Sequence, residues 1–212
     1  MSTFRFAIMG AGNIAHQFCD AVTLVEDCEV SAIASKDLGR AQKFAEECSV
    51  AHAYDNYEQM LIEEKPDCVY IAVTPNDHFR LTMLCLEHRV PVLCEKAMFT
   101  NSAEAKAVFE KAEKDQTFVM EAMWSRFLPA VNQAKKWAAE GKIGRLEASQ
   151  GRIGFLAPEG ADNRYHSPLL CGGAATDITV YAYEIATWLV NEPVRKTYAA
   201  ANLDQTGVDL TD

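Results

Sequence analysis

The chain has 212 residues, 49% hydrophobic and 24% charged, and its 20 Lys plus Arg against 30 Asp plus Glu give a formal net charge of −10. That composition is globular and long enough for one large hydrophobic core or two modest ones. Its acidity opposes phosphate backbones and anionic lipid, so neither nucleic acid nor a membrane is an expected partner. The longest apolar runs, such as Cys68 to Val73, are strand-sized, far short of a bilayer span. The N-terminus meets glycines before a signal-peptide core could develop, and a cytosolic protein is expected. The seven cysteines are odd in number and include no C-x-x-C pair, which predicts reduced thiols and no zinc site.

Over the first 120 residues short apolar runs alternate with helix-like stretches, the pattern of βαβ units around a parallel sheet. Phe4 to Met9 reads as a strand, Asn13 to Val25 as a helix, Val30 to Ala34 as a strand, Leu38 to Glu47 as a helix and Ala51 to Tyr54 as a short strand. Asn56 to Glu63 is helical, and Cys68 to Val73 is a strand covered on both faces. Thr74 to Asp77 is a turn, with Asn76 or Asp77 able to cap a helix from His78 to Glu87. Pro91 to Cys94 is a fifth strand. Ser102 to Asp115 is a helix capped by Asn101 or Ser102, and Thr117 to Met120 is a sixth strand.

Beyond Glu121 the pattern changes, which divides the chain into 1–122 and 123–212. Pro129 to Glu140 predicts a helix ended by Gly141, and Arg145 to Phe155 a long strand. Leu156 to Leu170 reads as a loop carrying Asp162-Asn163-Arg164. Gly172-Gly173 introduces a helix from Ala174 to about Val190, and Val194 to Ala201 reads as another strand.

Gly10-Ala11-Gly12-Asn13-Ile14-Ala15 follows a strand and opens a helix, the context in which G-x-G-x-x-G/A binds a dinucleotide. Gly10 makes the tight turn, Gly12 admits the pyrophosphate, and Ala15 takes the helix–strand contact. The helix N-terminus offers Asn13 and Ile14 N–H groups to the phosphates. After the second strand an NAD site usually places a carboxylate for the ribose hydroxyls. Here Ser35-Lys36 stands there with Arg40 one turn on, suiting the 2′-phosphate of NADP. Asp37 keeps NAD open as an alternative. Thr74-Pro75-Asn76 and Glu95-Lys96 end the fourth and fifth strands and face the same crevice as the glycine loop. Asp177 and Tyr181 lie at i and i+4 behind paired glycines, a carboxylate and a phenol on one helix face. Core packing is the competing account of that pair.

Together Gly10-x-Gly12-x-x-Ala15, Thr74-Pro75-Asn76-x-His78-Phe79, Glu95-Lys96, and Gly172-Gly173 with Asp177 and Tyr181 resemble the Gfo/Idh/MocA oxidoreductase family. The tract from Met120 through Trp124-Ser125-Arg126-Phe127 to Pro129 is similar to its branch of dihydrodiol dehydrogenases and glucose-fructose oxidoreductases. The resemblance implies an N-terminal Rossmann domain, a doubly wound parallel sheet, followed by a C-terminal α+β domain with an open, mostly antiparallel sheet for substrate binding and dimerisation. It implies Lys96 as the catalytic lysine of an E-K-P motif, with Ala97 in place of the proline, and Asp177 and Tyr181 as acid/base residues. It also puts His78, Glu95, Trp124 and Arg126 at the cofactor and Arg164 near the substrate. Family members continue through further strands, so this sequence is expected to be a truncated piece, which bears on its activity more than on its fold.

The expected reaction is hydride transfer between nicotinamide C4 and a carbinol carbon of a sugar, polyol or cyclic diol. Tyr181 would exchange the hydroxyl proton. Its free pKa of about 10 calls for a neighbouring Lys96 cation to favour the phenolate, while Asp177 orients the hydroxyl or Lys96. The rivals are a non-catalytic NADP-binding regulator and a methyltransferase. The second is disfavoured because Ser35-Lys36 replaces the acidic residue that commonly holds its cofactor's ribose.

Overall fold

In the computed structural model, which describes residues 3–158, 160 and 163–210, residues 4–121 build one sheet. Its strands are β1 (Phe4–Met9), β2 (Cys28–Ala34), β3 (His52–Tyr54), β4 (Cys68–Ile71), β5 (Val92–Cys94) and β6 (Val119–Glu121). All pair in parallel, in the order β3-β2-β1-β4-β5-β6. Helices α1 (Asn13–Val22), α2 (Leu38–Cys48), α3 (Tyr57–Glu64), α4 (His78–Glu87) and α5 (Ser102–Asp115) connect them.

Strand residues alternate between two cores, as the period of two requires. Ile8, Ile33 and Tyr70 pack with Ala15 and Cys19 of α1 and Phe44 of α2 on one face. Met9, Val69 and Ile71 pack with Met60 and Leu61 of α3 and Leu81 and Cys85 of α4 on the other. Burying a side chain such as Phe44 contributes about 1.5–3 kcal/mol. Polar side chains set the helix starts: Asp37 accepts from the Arg40 amide at 2.9 Å, Asn56 from Gln59 at 2.9 Å and Asn101 from Glu104 at 3.0 Å, each satisfying an otherwise orphaned N–H.

The chain divides into compact units at Met1–Ala122 and Met123–Asp212. The second holds α6 (Pro129–Ala139), short turns at Arg164–His166 and Pro168–Leu170, a π-helical turn Ala175–Thr179 running into α7 (Val180–Val190), and the antiparallel pair β7 (Asn202–Leu203) and β8 (Asp209–Leu210). Asp204 accepts from Thr206 N and Oγ1 at 2.7 and 2.6 Å and from His166 Nδ1 at 3.0 Å, while Asp209 accepts from Ala175 N at 2.6 Å. The Thr206 bonds close the β7–β8 turn, His166 ties that turn to Arg164–His166, and Asp209 ties β8 to the π-helical turn. The hydrogen bonds from the Thr206 and His166 side chains lower the Asp204 carboxyl to about 2.

Three local expectations are corrected. Arg145 to Phe155 and Val194 to Ala201 form no strand, because a strand needs a neighbour for its ladder bonds and none of the described residues pairs with either segment. Both are largely exposed. Neither Asn76 nor Asp77 side chain caps α4, since the Asp77 carboxylate is taken by Lys36 and Arg80. Asp162 lies outside the described residues. No helix among them is long and apolar enough to cross a membrane.

Candidate active site

Gly10, Ser35, Thr74 and Glu95 follow the carboxyl ends of β1, β2, β4 and β5. The sheet order reverses between β2 and β4 around β1, so these ends flank the crevice where open parallel sheets bind ligands. The backbone at Gly10 has φ +109°, and a Cβ there would lie 2.7 Å from the Ala72 carbonyl oxygen. Glycine is therefore demanded both by conformation and by the close approach of the β4 end. Gly12 starts α1 in extended conformation with no side-chain cap, and the first turn carries no acidic residue. Uncapped N–H groups and the positive helix end are what a pyrophosphate needs, so these residues fit a dinucleotide.

On the β2 side Ser35 is buried and its hydroxyl accepts from the Asp37 amide at 3.4 Å. Asp37 is occupied as the α2 cap, and Arg40 Nη2 donates to the Ala11 carbonyl at 3.3 Å, placing its guanidinium beside the glycine loop. Lys36 pairs with Asp77, which Arg80 Nε also reaches at 3.3 Å. Burial works to raise the Asp77 carboxyl, but hydrogen bonds from Lys36 and Arg80 outweigh it and hold it below the usual range.

His78 is fully buried, with Nδ1 3.0 Å from the Ala97 carbonyl and Nε2 3.0 Å from that of Val73. It ties the loop after β4 to the loop after β5. Burial lowers its pKa against the pull of those carbonyls. Glu95 accepts from Tyr70 Oη at 2.6 Å and from the Lys96 amide at 3.2 Å, and burial raises its carboxyl. Tyr70 stacks on Phe18 of α1 with centroids 4.0 Å apart. A column from α1 through β4 thus props the tract bearing Lys96, whose peptide bond to Ala97 is cis. Glu121 accepts from the Met98 amide at 2.9 Å and fixes the far side of that loop.

In the second unit, Trp124 Nε1 donates to Tyr181 Oη at 2.9 Å. Arg164 Nη2 meets Asp177 Oδ1 at 3.1 Å, so the expected substrate arginine and acid/base carboxylate are brought together. The Gly172 position explains how: a Cβ there would lie 2.5 Å from the Arg164 carbonyl oxygen, so only glycine lets the Arg164 turn approach. Asp177 sits in the π-helical turn rather than in regular α-helix, a local feature frequent at functional sites. Arg126 is committed to Glu184, which also accepts from Ser125 Oγ at 3.3 Å, and its guanidinium lies 5.3 Å over the Trp188 ring.

Asp77, Tyr70, Glu121 and Glu184 were not expected among the site-building residues. Asp77 carried a weak signal as a polar turn residue; the other three matter through partners distant in sequence.

The chain matches the model of an oxidoreductase family with NAD-binding Rossmann fold over residues 4–123, and the Gfo/Idh/MocA C-terminal domain over 131–212. A trans-1,2-dihydrobenzene-1,2-diol dehydrogenase of Mus musculus is 32% identical over 98% of this chain and 62% of its own length. A probable dehydrogenase from Thermotoga maritima superposes with a TM-score of 0.79 at 21% identity, covering 95% of this chain and 60% of that one. A 3-ketoreductase from Actinomadura kijaniata, determined with TDP-benzene and NADP, superposes at 0.63 with 26% identity over 68% of this chain and 44% of that one. The chain thus spans about three-fifths of the length of the curated relatives it matches.

Proposed function

Because the chain belongs to the Gfo/Idh/MocA oxidoreductase family, we propose that it is an NADP-dependent dehydrogenase, accepting NAD less well, that acts on a carbinol carbon of a sugar, polyol or cyclic diol. The observation that carries this is the Gly10 turn beneath an uncapped α1, in a setting that suits a pyrophosphate. Ser35, Lys36 and Arg40 support the preference for a 2′-phosphate, and the diol and keto substrates in the relatives' names support the substrate class. When bound, the nicotinamide takes or gives the hydride.

In this reading residues 1–122 bind the dinucleotide, with Thr74, Pro75 and Asn76 bordering its crevice, and residues 123–212 hold the substrate. Tyr181 exchanges the hydroxyl proton, its phenol oxygen steadied by the Trp124 indole N–H. Asp177, held by Arg164, orients the substrate hydroxyl. Lys96, on the dinucleotide-binding unit, is the catalytic lysine of this reading. Seven reduced thiols accord with a cytosolic setting. Exposed Ile153, Phe155, Leu156 and Tyr198 are surfaces that a homodimer through the C-terminal region would cover.

The test is turnover with NADP and NAD across a panel of sugars, polyols and trans-dihydrodiols. Lys96→Met and Tyr181→Phe should each lower kcat by about a hundred-fold or more while leaving the Kd for NADPH nearly intact. Unchanged turnover in either variant removes that residue from the chemistry. Cofactor binding without turnover on any substrate would replace the enzyme with a non-catalytic NADP-binding regulator.

A further inference from the structure

Lys36 and Asp77 stand on opposite sides of the glycine loop. One follows β2 and the other lies in the turn after β4, the two strands that flank β1. Their side chains nevertheless meet in an ion pair. The Asp77 carboxylate contributes no cap to α4, so its orientation serves the pair and not the helix. It is also the less exposed partner, with 16% of its side chain accessible against 67% for Lys36. Arg80 contacts the same carboxylate from the first turn of α4 and lies 5.9 Å from the Tyr57 ring centroid, which anchors that side of the cluster.

We propose that Asp77 is a specificity-determining residue that sets the discrimination between NADPH and NADH by competing with the 2′-phosphate for Lys36. The assignment rests on the dinucleotide reading above. A 2′-phosphate drawing on Ser35, Lys36 and Arg40 must separate Lys36 from Asp77 and then sit near a carboxylate. A 2′-hydroxyl at the same place meets no such repulsion and can donate a hydrogen bond to that carboxylate. The hydrogen bonds that keep Asp77 ionised at neutral pH keep the competition in force. Asp77 therefore lowers a preference that Lys36 and Arg40 create, and the ratio of the two affinities is a balance struck between the β2 and β4 ends.

The experiment is fluorescence titration of the purified chain with NADPH and NADH, following tryptophan quenching and nicotinamide emission, which requires no turnover. Asp77→Asn should raise the ratio of the NADH to the NADPH dissociation constant by about five- to ten-fold, almost wholly through tighter NADPH binding. In a Lys36→Met background the same change should have a smaller effect, because the competition for the ammonium is gone. Asp77→Ser gives the same reading should the asparagine variant fold poorly, and circular dichroism melts establish that each variant is folded. An unchanged or lowered ratio in a folded Asp77 variant overturns the assignment while leaving dinucleotide binding intact. No binding of either nucleotide by the folded parent overturns both.

Discussion

A methyl group at position 10 is the smallest change the crevice should refuse. It would lie 2.7 Å from the Ala72 carbonyl oxygen at a φ of +109°, so Gly10→Ala must move the β1 or β4 end. The expected cost is about 2–4 kcal/mol, with a lower Tm and loss of NADPH binding in the same titration. A parent-like melt with intact binding would mean that the turn relaxes freely. Gly10 was legible in the sequence because its role is local, a turn between a strand and a helix. Asp77 was not, since its partner Lys36 lies 41 residues away, and Glu184 serves Ser125 and Arg126 from 59 and 58 residues away. Pairings at that range are decided by topology, which a local pattern does not encode.

Helices and strands report the same division between local and distant information. Asn101 with Glu104 forms a reciprocal cap at α5, the Glu104 carboxylate accepting from the Thr100 amide at 3.1 Å. Asn101→Ala should cost about 1 kcal/mol in a denaturant melt. His78 links two elements, and its burial makes stability depend on pH. The unfolded ring takes up a proton near about pH 6.5, whereas the folded ring does so only at lower pH. Between those values the unfolded state binds more protons, so stability rises with pH. The His78 contribution is intact above about pH 6.5 and is lost as the pH falls below it. Glu95, raised by burial, acts with the opposite sign, favouring the fold at acidic pH and losing that contribution as pH rises through its folded pKa. His78→Gln should make the Tm less sensitive to acid between pH 7 and pH 5.5 than the parent's; a variant with the parent's slope would assign the dependence to other groups. The six parallel strands were readable because each is a short, mostly apolar run between helices. Arg145 to Phe155 has the residue types of a strand, but its pattern carries no information about whether a neighbouring strand is there to receive its hydrogen bonds.

Across the whole molecule the two units differ in what would resist a protease. Met1–Ala122 is organised around one sheet covered on both faces, whereas the stretches near Arg145, Arg152, Arg195 and Lys196 are exposed and outside any ladder. Brief trypsin treatment should cut at those four residues before any site in the sheet, read as masses of fragments that retain residues 1–122. Early cleavage within the sheet would contradict this order. The thiols extend the same contrast into a measurement of local opening. Burial raises Cys19 and Cys68 to about 12 and also pushes Cys85 and Cys94 up, so at neutral pH each reacts with an alkylating reagent only when its surroundings come apart. Cys28, Cys48 and Cys171, only partly buried, should be modified first, and Cys85 and Cys94 at the pace of global unfolding. The chain thus carries its own set of chemical clocks, one on α1, one on β4, one on α4 and one on β5. Pulsed alkylation read by mass could time the loosening of each element without isotope exchange or an introduced probe.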